Sequence, residues 1–281
     1  MIRGLILGCS LLLVLSSCGG GQHKSVNVPI VKNPYVQQAK DFTHFGIESM
    51  YQERWSSAEH AFKRALDTAQ LANDAPLIVR AWYNIAMLYR AKHEPEAQLH
   101  ALQKTQLLAQ EEGFSDDVLR AQLQIQLLEI EQGQATTSAL VQLPQETGLD
   151  IVLLAARVQQ LQGKKEQAKD LYQRVISTAS QQRSDLLYQA EAYMGLALLA
   201  AAEADIVTLE RQIDAVLKIT HKVGAPRLTA NALLLRAKAA ERDQAMRLRD
   251  LEKSLSIYEI LRDKRGIAGV QAVRQSLANE Q

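Results

Sequence analysis

The sequence has little of what disulfide-bonded, strand-rich or ligand-enclosing folds require. Of its 281 residues only two are cysteine and six are proline, and 5% are aromatic. Two cysteines cannot supply the several bridges on which small secreted domains depend, so the fold must rely on a hydrophobic core. No alternation of β-branched residues persists along the chain, which argues against strands. The scarcity of aromatic residues disfavours a small-ligand receptor, because such pockets are commonly lined by aromatic rings.

The first residues form a short apolar run that ends at a cysteine. The run extends from Gly4 to Leu15, about a dozen residues, which suits the apolar part of a secretory signal and falls short of the ~20 residues that span a bilayer. It closes with the residues Leu15-Ser16-Ser17-Cys18. This ending resembles the lipobox of bacterial lipoproteins. The resemblance implies cleavage before Cys18 and lipid attachment to its thiol; a plain cleaved signal and an uncleaved anchor are the alternatives.

The residues after the cysteine suit a lipid-anchored protein. Gly19-Gly20-Gly21 is a flexible spacer, and residues 22–36, with two prolines and no helical period, are predicted to be a tether. In Gram-negative lipoproteins an aspartate after the cysteine often signals retention at the inner membrane. Because residue 19 is glycine, the resemblance favours the outer membrane, facing the periplasm. The predicted organisation is a signal peptide (1–17), a lipidated cysteine with its tether (18–36) and a repeat domain (37–281).

Removal of the leader would leave a chain without excess charge and without a free pair of cysteines. The chain has 32 Lys and Arg against 31 Asp and Glu, and the leader contains only Arg3 among them. Nothing in this balance favours nucleic acid as a partner. Cys9 lies in the leader, so the remaining Cys18 would have no partner for an intrachain disulfide.

Beyond the tether, apolar residues recur at steps of three and four, the signature of helices, so we expect an all-α fold. The segment Trp82-x2-Ile85-Ala86-x2-Tyr89 resembles the first helix of the tetratricopeptide repeat. An equivalent segment with Phe42, Phe45 and Gly46 stands 40 residues earlier. Second-helix motifs follow in two of the units, and their residues are Trp55, Ala58, Phe62 and Ala65 in one and Ala168, Tyr172 and Val175 in the other. Small residues such as Gly46, Ala86 and Ala156 would let helices approach, with Phe62 or Tyr172 filling the space beside them.

The other units match the repeat less well. A first helix is predicted at 118–131 with a short partner at 135–143, and helix pairs are predicted at 186–202 with 206–221 and at 227–241 with 246–262. A last helix at 266–278, after a turn at 263–266, would close the stack. The predicted fold is therefore an α-solenoid of about six tetratricopeptide-like hairpins with a C-terminal capping helix. The repeat length is near 40 residues, so HEAT and armadillo repeats, at about 40–47, are the rival architecture.

The sequence contains no motif that identifies a reaction. Phosphate-binding, dinucleotide-binding, zinc-protease and serine-hydrolase signatures are all missing, so we expect no enzyme activity and no cofactor. His93, Glu96 and His100 could share one helix face only if the helix began at His93. Pro95 suits the first turn of that helix instead and leaves His93 in the preceding turn. Two histidines and one carboxylate make a poor zinc site, and no metal is predicted.

A stack of helical hairpins leaves a long concave face, and tetratricopeptide proteins that bind peptides use first-helix positions on it. The equivalent positions here are predominantly basic or polar, and none is acidic: Lys40, Thr43, Arg80, Tyr83, Met87, Arg90, Arg120, Arg157, Gln160, Asn231 and Lys238. Lysine and arginine side chains could hold a peptide carboxylate or acidic side chains. Arginines that merely coat a helix surface with their stems are the alternative.

The two resemblances together predict a lipid-anchored scaffold or adaptor that binds another protein or an extended peptide segment. Such proteins act as pilotins for secretin or pilus assembly, as companions of outer-membrane assembly, or as adaptors for cell-wall enzymes. A peptidoglycan enzyme or regulator on a helical scaffold is the alternative function, and it would need a glutamate in a cleft.

Overall fold

The computed structural model describes residues 33–134, 143–239 and 243–279, and within them the chain forms helices and no strand. The predicted all-α fold is confirmed. The described residues belong to one compact unit. The helices are α1 (Pro34–Tyr51), α2 (Trp55–Ala72), α3 (Ala75–Lys92), α4 (Pro95–Glu111), α5 (Ser115–Glu131), α6 (Leu149–Leu161), α7 (Lys165–Thr178), α8 (Arg183–Ala202), α9 (Ile206–Val223), α10 (Pro226–Ala237), α11 (Gln244–Leu261) and α12 (Lys264–Asn279).

Consecutive helices pack as antiparallel hairpins that stack into an α-solenoid. The hairpins with two described helices are α1–α2, α3–α4, α6–α7, α8–α9 and α10–α11. We call α1, α3, α5, α6, α8, α10 and α12 the first helices, and α2, α4, α7, α9 and α11 the second helices. Several first helices pack against the next first helix, as α6 does on α8 and α10 on α12, whereas among the described helices no comparable packing joins successive second helices. The first helices therefore line the concave side, which we call the inner face.

The helices begin and end where side chains satisfy their free backbone groups. Asp74 accepts from the N–H of Leu77, Asp205 accepts from that of Thr208, and Pro95 occupies the first position of α4. At the other end of α9, Gly224 adopts φ +69° and lets the chain turn into α10. Such caps and turns leave only short connections between the helices. The starts of successive first helices are between 34 residues apart, from α6 to α8, and 43 residues apart, from α8 to α10, so the predicted repeat of about 40 residues is not uniform.

An aromatic ring of a second helix packs on a glycine of a first helix at three places, within the hairpin α1–α2 and between consecutive hairpins at α7–α8 and α11–α12. A Cβ at Gly46 would lie 2.5 Å from the ring of Phe62, as the sequence predicted. A Cβ at Gly195 would lie 2.2 Å from the ring of Tyr172, and a Cβ at Gly266 would lie 2.2 Å from that of Tyr258. These contacts set how closely successive helices approach and bury all three rings.

The predicted boundaries differ from the observed ones at both ends of the solenoid. α1 begins at Pro34, three residues before the boundary that we predicted, because Asn33 caps the helix by accepting from the N–H of Tyr35 at 3.0 Å. α12 begins at Lys264, inside the predicted turn, because Asp263 accepts from the N–H of Gly266 at 2.9 Å. The predicted signal peptide, Cys18 and residues 18–32 of the tether lie outside the described residues, as does 135–142, most of the predicted partner of α5. None of the described helices combines the length and the apolar character needed to cross a membrane.

Candidate functional site

Side chains from neighbouring first helices meet along the inner face. The Gln124 side chain on α5 donates to the Tyr83 hydroxyl on α3 at 3.0 Å. Two helical turns further along the same pair of helices, the Arg90 guanidinium donates to the Glu131 carboxylate. Burial raises the pKa of Tyr83, although the Gln124 hydrogen bond opposes the shift. The predicted positions Tyr83 and Arg90 are thus part of one continuous surface, in which Arg90 already has a carboxylate partner.

A cluster around Arg120 joins α5 to α6. The Arg120 guanidinium lies 3.0 Å through Nε and 2.6 Å through Nη2 from the same Asp150 oxygen, and it also pairs with Asp117 one turn earlier. Burial alone would lower the pKa of Arg120, but the two carboxylates outweigh burial and raise it. The group therefore remains charged and committed to these acids, so it is not a free cation for a ligand.

Lys40, Arg80, Arg157 and Lys238 are the predicted basic residues that retain exposed charge. All four are exposed, and among the described residues none has a carboxylate within ion-pair distance. Lys40 is on α1 and Arg80 on α3, and each lies six residues before a buried small residue, Gly46 or Ala86. Lys238 follows the last residue of α10. The free positive charge of the inner face is therefore concentrated at Lys40 on α1, Arg80 on α3 and Arg157 on α6.

The remaining predicted positions are polar or apolar side chains that contact the protein itself. The Thr43 hydroxyl donates to the Ala39 carbonyl of its own helix, and Gln160 accepts from the Tyr172 hydroxyl at 2.6 Å. Burial raises the pKa of that tyrosine to about 12. Met87 is half-buried against the core around Phe62. These residues contribute to the shape of the inner face and provide few groups that could bind a ligand.

An exposed carboxylate faces Arg157 on the same surface. Glu191 of α8 is exposed, yet the pKa of its carboxyl group is raised because the surrounding protein removes part of its hydration; Arg157 opposes the shift. Tyr188, one turn earlier, is half-buried and its pKa is also raised, mainly by burial and then by Asp150. The inner face thus contains acidic groups that the sequence positions did not include.

The first and last hairpins meet at a second polar region, which we call the seam. The Arg227 guanidinium of α10 lies 3.8 Å from the ring centroid of Tyr51, the last residue of α1. Arg265 of α12 donates to the Ala91 carbonyl in the last turn of α3 at 2.5 Å. These contacts place the starts of α10 and α12 against the ends of α1 and α3.

Further contacts of Arg265 complete the seam. Its guanidinium lies 3.5 Å from a Glu53 oxygen and 5.6 Å from the ring centroid of Trp55. A cavity of about 370 Å³ opens beside these residues, and Tyr51, Trp55 and Asn231 are among those lining it. The predicted groove residue Asn231 is thus a seam residue, and it accepts from the Tyr258 hydroxyl at 2.5 Å.

The described residues contain no cluster of three His, Cys, Asp or Glu side chains that could hold a metal ion. His93 is the residue that ends α3, in the left-handed conformation with φ +59°, and Pro95 begins α4. His93 therefore precedes the helix that contains Glu96 and His100, as the position of the proline predicted.

One feature of the sequence that is unrelated to the repeat pattern indicates the seam: positive residues in the first turns of two helices. Arg227 falls in the first turn of α10, and Lys264 and Arg265 begin α12. Positive side chains are unfavourable at the N-terminus of their own helix and favourable at the C-terminus of another. Asp150, 30 residues from Arg120, offered no comparable signal.

The sequence matches no protein-family model and no curated protein.

Proposed function

We propose that this chain is a lipid-anchored adaptor that binds another protein through the inner face of its solenoid. In this proposal Cys18 carries the lipid, the protein lies at the periplasmic face of the outer membrane, and the hairpins are tetratricopeptide-like. The partner presents an extended segment that ends in a carboxylate or carries acidic side chains. Companions of secretin, pilus or outer-membrane assembly are the class of adaptor that this arrangement resembles.

The exposed, unpaired cations Lys40 and Arg80 are the observation that carries the proposal. They are at matching positions on α1 and α3, whereas Arg90 and Arg120 on the same face are already neutralised by carboxylates. A charged hydrogen bond to lysine or arginine suits a carboxylate, and arginine can hold two oxygens at once. The acidic part of the partner should therefore lie against the first two hairpins.

Charge reversal at this site tests the proposal. Lys40→Glu/Arg80→Glu should abolish in-cell crosslinking of the partners captured by the wild-type chain and identified by mass spectrometry. Lys104→Glu/Arg249→Glu is the matched control, because both side chains are exposed on second helices and have no ion-pair partner among the described residues. Both double variants should retain the helical circular dichroism of the wild type. Equal capture by the two double variants would contradict the proposed binding face.

A cell-wall enzyme or regulator is the second candidate, and one observation favours it. Glu191 is a solvent-accessible carboxyl group on the concave side with a raised pKa, the property required of a general acid. Turnover of purified peptidoglycan by the wild type, lost in Glu191→Gln, would support this function. No turnover, together with partner capture that depends on Lys40 and Arg80, would support the adaptor.

A further inference from the structure

We propose that the seam is a latch, which opens to admit a partner segment to the inner face and closes behind it. The claim that the latch regulates partner entry rests on the proposed function, whereas the latch itself rests only on the contacts between the first and last hairpins. Closed, the seam joins the two ends of the described solenoid, and an open seam gives an extended segment a lateral route to the inner face.

The contacts across the seam differ in kind from those within the solenoid. Close helix-to-helix packing joins helices that are near each other in chain order, and none of it joins α1–α4 to α10–α12. Two long arginine side chains, Arg227 and Arg265, bridge the gap to Tyr51, Glu53 and the Ala91 carbonyl. Parting these contacts leaves every hairpin core intact, whereas separating any neighbouring pair of hairpins would expose buried apolar surface.

The positions of the two arginines indicate that the seam is a specific contact, because a positive charge is disfavoured where each arginine lies in its own helix and is favoured at the end of α3. Each arginine is in the first turn of its own helix, where the positive end of the helix dipole disfavours it. Arg265 offsets this by donating to a carbonyl in the last turn of α3, where a free backbone oxygen and the negative end of that dipole both favour a cation. Arg227 pairs with Asp263 at 3.0 Å, and Asp263 caps α12. The two bridging side chains are therefore linked through the start of one helix.

Because the bridges are polar and solvent-accessible, the latch should respond to mutation and to salt. Loss of two cation–aromatic contacts raises the ratio of open to closed forms by about five- to thirtyfold. Higher salt also favours the open form, because it screens the Arg265–Glu53 pair.

Trp55 reports the state of the seam in the full chain. The chain has two tryptophans, so Trp82→Phe leaves Trp55 as the only indole. In that background, Arg227→Ala/Arg265→Ala should increase quenching of Trp55 by acrylamide and increase the radius of gyration measured by small-angle scattering. Arg211→Ala/Arg249→Ala, on exposed arginines of α9 and α11, is the matched control and should change neither. Unchanged quenching and scattering in the seam variant would overturn the latch.

The wild-type seam provides a measurement that does not depend on how the variant folds. Acrylamide is uncharged, so salt acts on the protein and not on the quencher. Quenching of Trp55 in the Trp82→Phe chain should rise between low and physiological salt and continue to rise above it. A flat response would overturn the latch even if the double variant proved unstable.

A fluorescein-labelled oligo-glutamate peptide tests whether the latch regulates access. Its association should be faster with Arg227→Ala/Arg265→Ala than with the wild type, and Lys40→Glu/Arg80→Glu should abolish binding to both. Equal association rates, with binding intact, would overturn the regulation of access. Failure of the peptide to bind any form, while Trp55 quenching still reports opening, would overturn the proposed acidic partner and leave the latch supported.

Discussion

The ring of Phe62 lies so close to Gly46 that a Cβ there would stand 2.5 Å from its nearest ring atom. The ring is 1% exposed and belongs to the core of the first two hairpins. Glycine at residue 46 therefore sets the separation of α1 and α2, and any side chain there would push the ring out of its place.

Gly46→Ala should destabilise the protein, although alanine favours a helix. Overpacking a core typically lowers the free energy of unfolding by about 1–3 kcal/mol. Alanine in place of a helical glycine raises it by up to about 1 kcal/mol. We expect a net loss of about 1–2 kcal/mol in the free energy of unfolding, measured by urea denaturation. Gly269→Ala is the control: its Cβ would meet only a Leu234 methyl group at 3.3 Å, so it should be neutral or stabilising. Equal effects of the two substitutions would show that the ring does not restrict residue 46.

The Arg120–Asp150 pair should couple α5 to α6. Arg120→Ala and Asp150→Ala should each lower stability, and the double variant should lose less than the sum of the two. Contacting charged residues typically show coupling of about 0.5–3 kcal/mol, measurable in a double-mutant cycle from chemical denaturation. The same cycle on Lys63 and Glu59, an exposed pair within α2, should give a smaller coupling because solvent screens it. Strict additivity at Arg120 and Asp150 would mean that the pair does not link the two helices.

Glu191→Gln should stabilise the protein at neutral pH and leave it unchanged in acid. The pKa of Glu191 is raised above its ordinary value of 4.5, so around and above that value the folded state binds this proton more strongly than the unfolded state. Stability from this group is therefore present at low pH and lost as pH rises through the folded pKa. Glutamine removes the dependence, so the melting temperature of the variant should exceed that of the wild type at pH 7 and equal it well below pH 4.5.

Glu252→Gln is the control for this pH profile. Glu252 is an exposed carboxylate of α11. Its substitution should shift the melting temperature little at either pH. The interpretation of Glu191 would be wrong if both variants followed the same pH profile.

Cys18→Ala tests the lipid anchor. The ending Leu15-Ser16-Ser17-Cys18 resembles a lipobox, whose cysteine takes the lipid, so the variant should lose labelling by palmitate and leave the membrane fraction or stay unprocessed. Cys9→Ala, in the same leader, should retain labelling. Equal labelling of the Cys18 variant and the wild type would end the lipoprotein interpretation.

The hairpins could be predicted from the sequence because their determinants are local. The helical period, the caps at Asp74 and Asp205, and the contact between Gly46 and Phe62 all join residues within about one hairpin. The inner face was harder to predict. Which side chains meet there depends on the tilt between successive hairpins, which no local pattern encodes. Arg90 and Arg120 were therefore expected as free cations, whereas both pair with carboxylates across neighbouring helices.

The seam depends on the sum of all these tilts. Arg265 and Ala91 are 174 residues apart, and a small change of angle at each hairpin would separate them. In the sequence, only the positive residues in the first turns of α10 and α12, where the helix dipole disfavours them, indicated a contact with another part of the chain.

The direction of α1 gives the protein two unlike edges. Asn33 is at its start and Tyr51, the seam residue, at its end; the helix has 18 residues and so is about 27 Å long. The seam contact of α1 therefore lies at the opposite end of this helix from Asn33, the first described residue. A partner that touches Tyr51 and Arg227 would leave the start of α1 uncovered, so one helix offers two separate sites of approach.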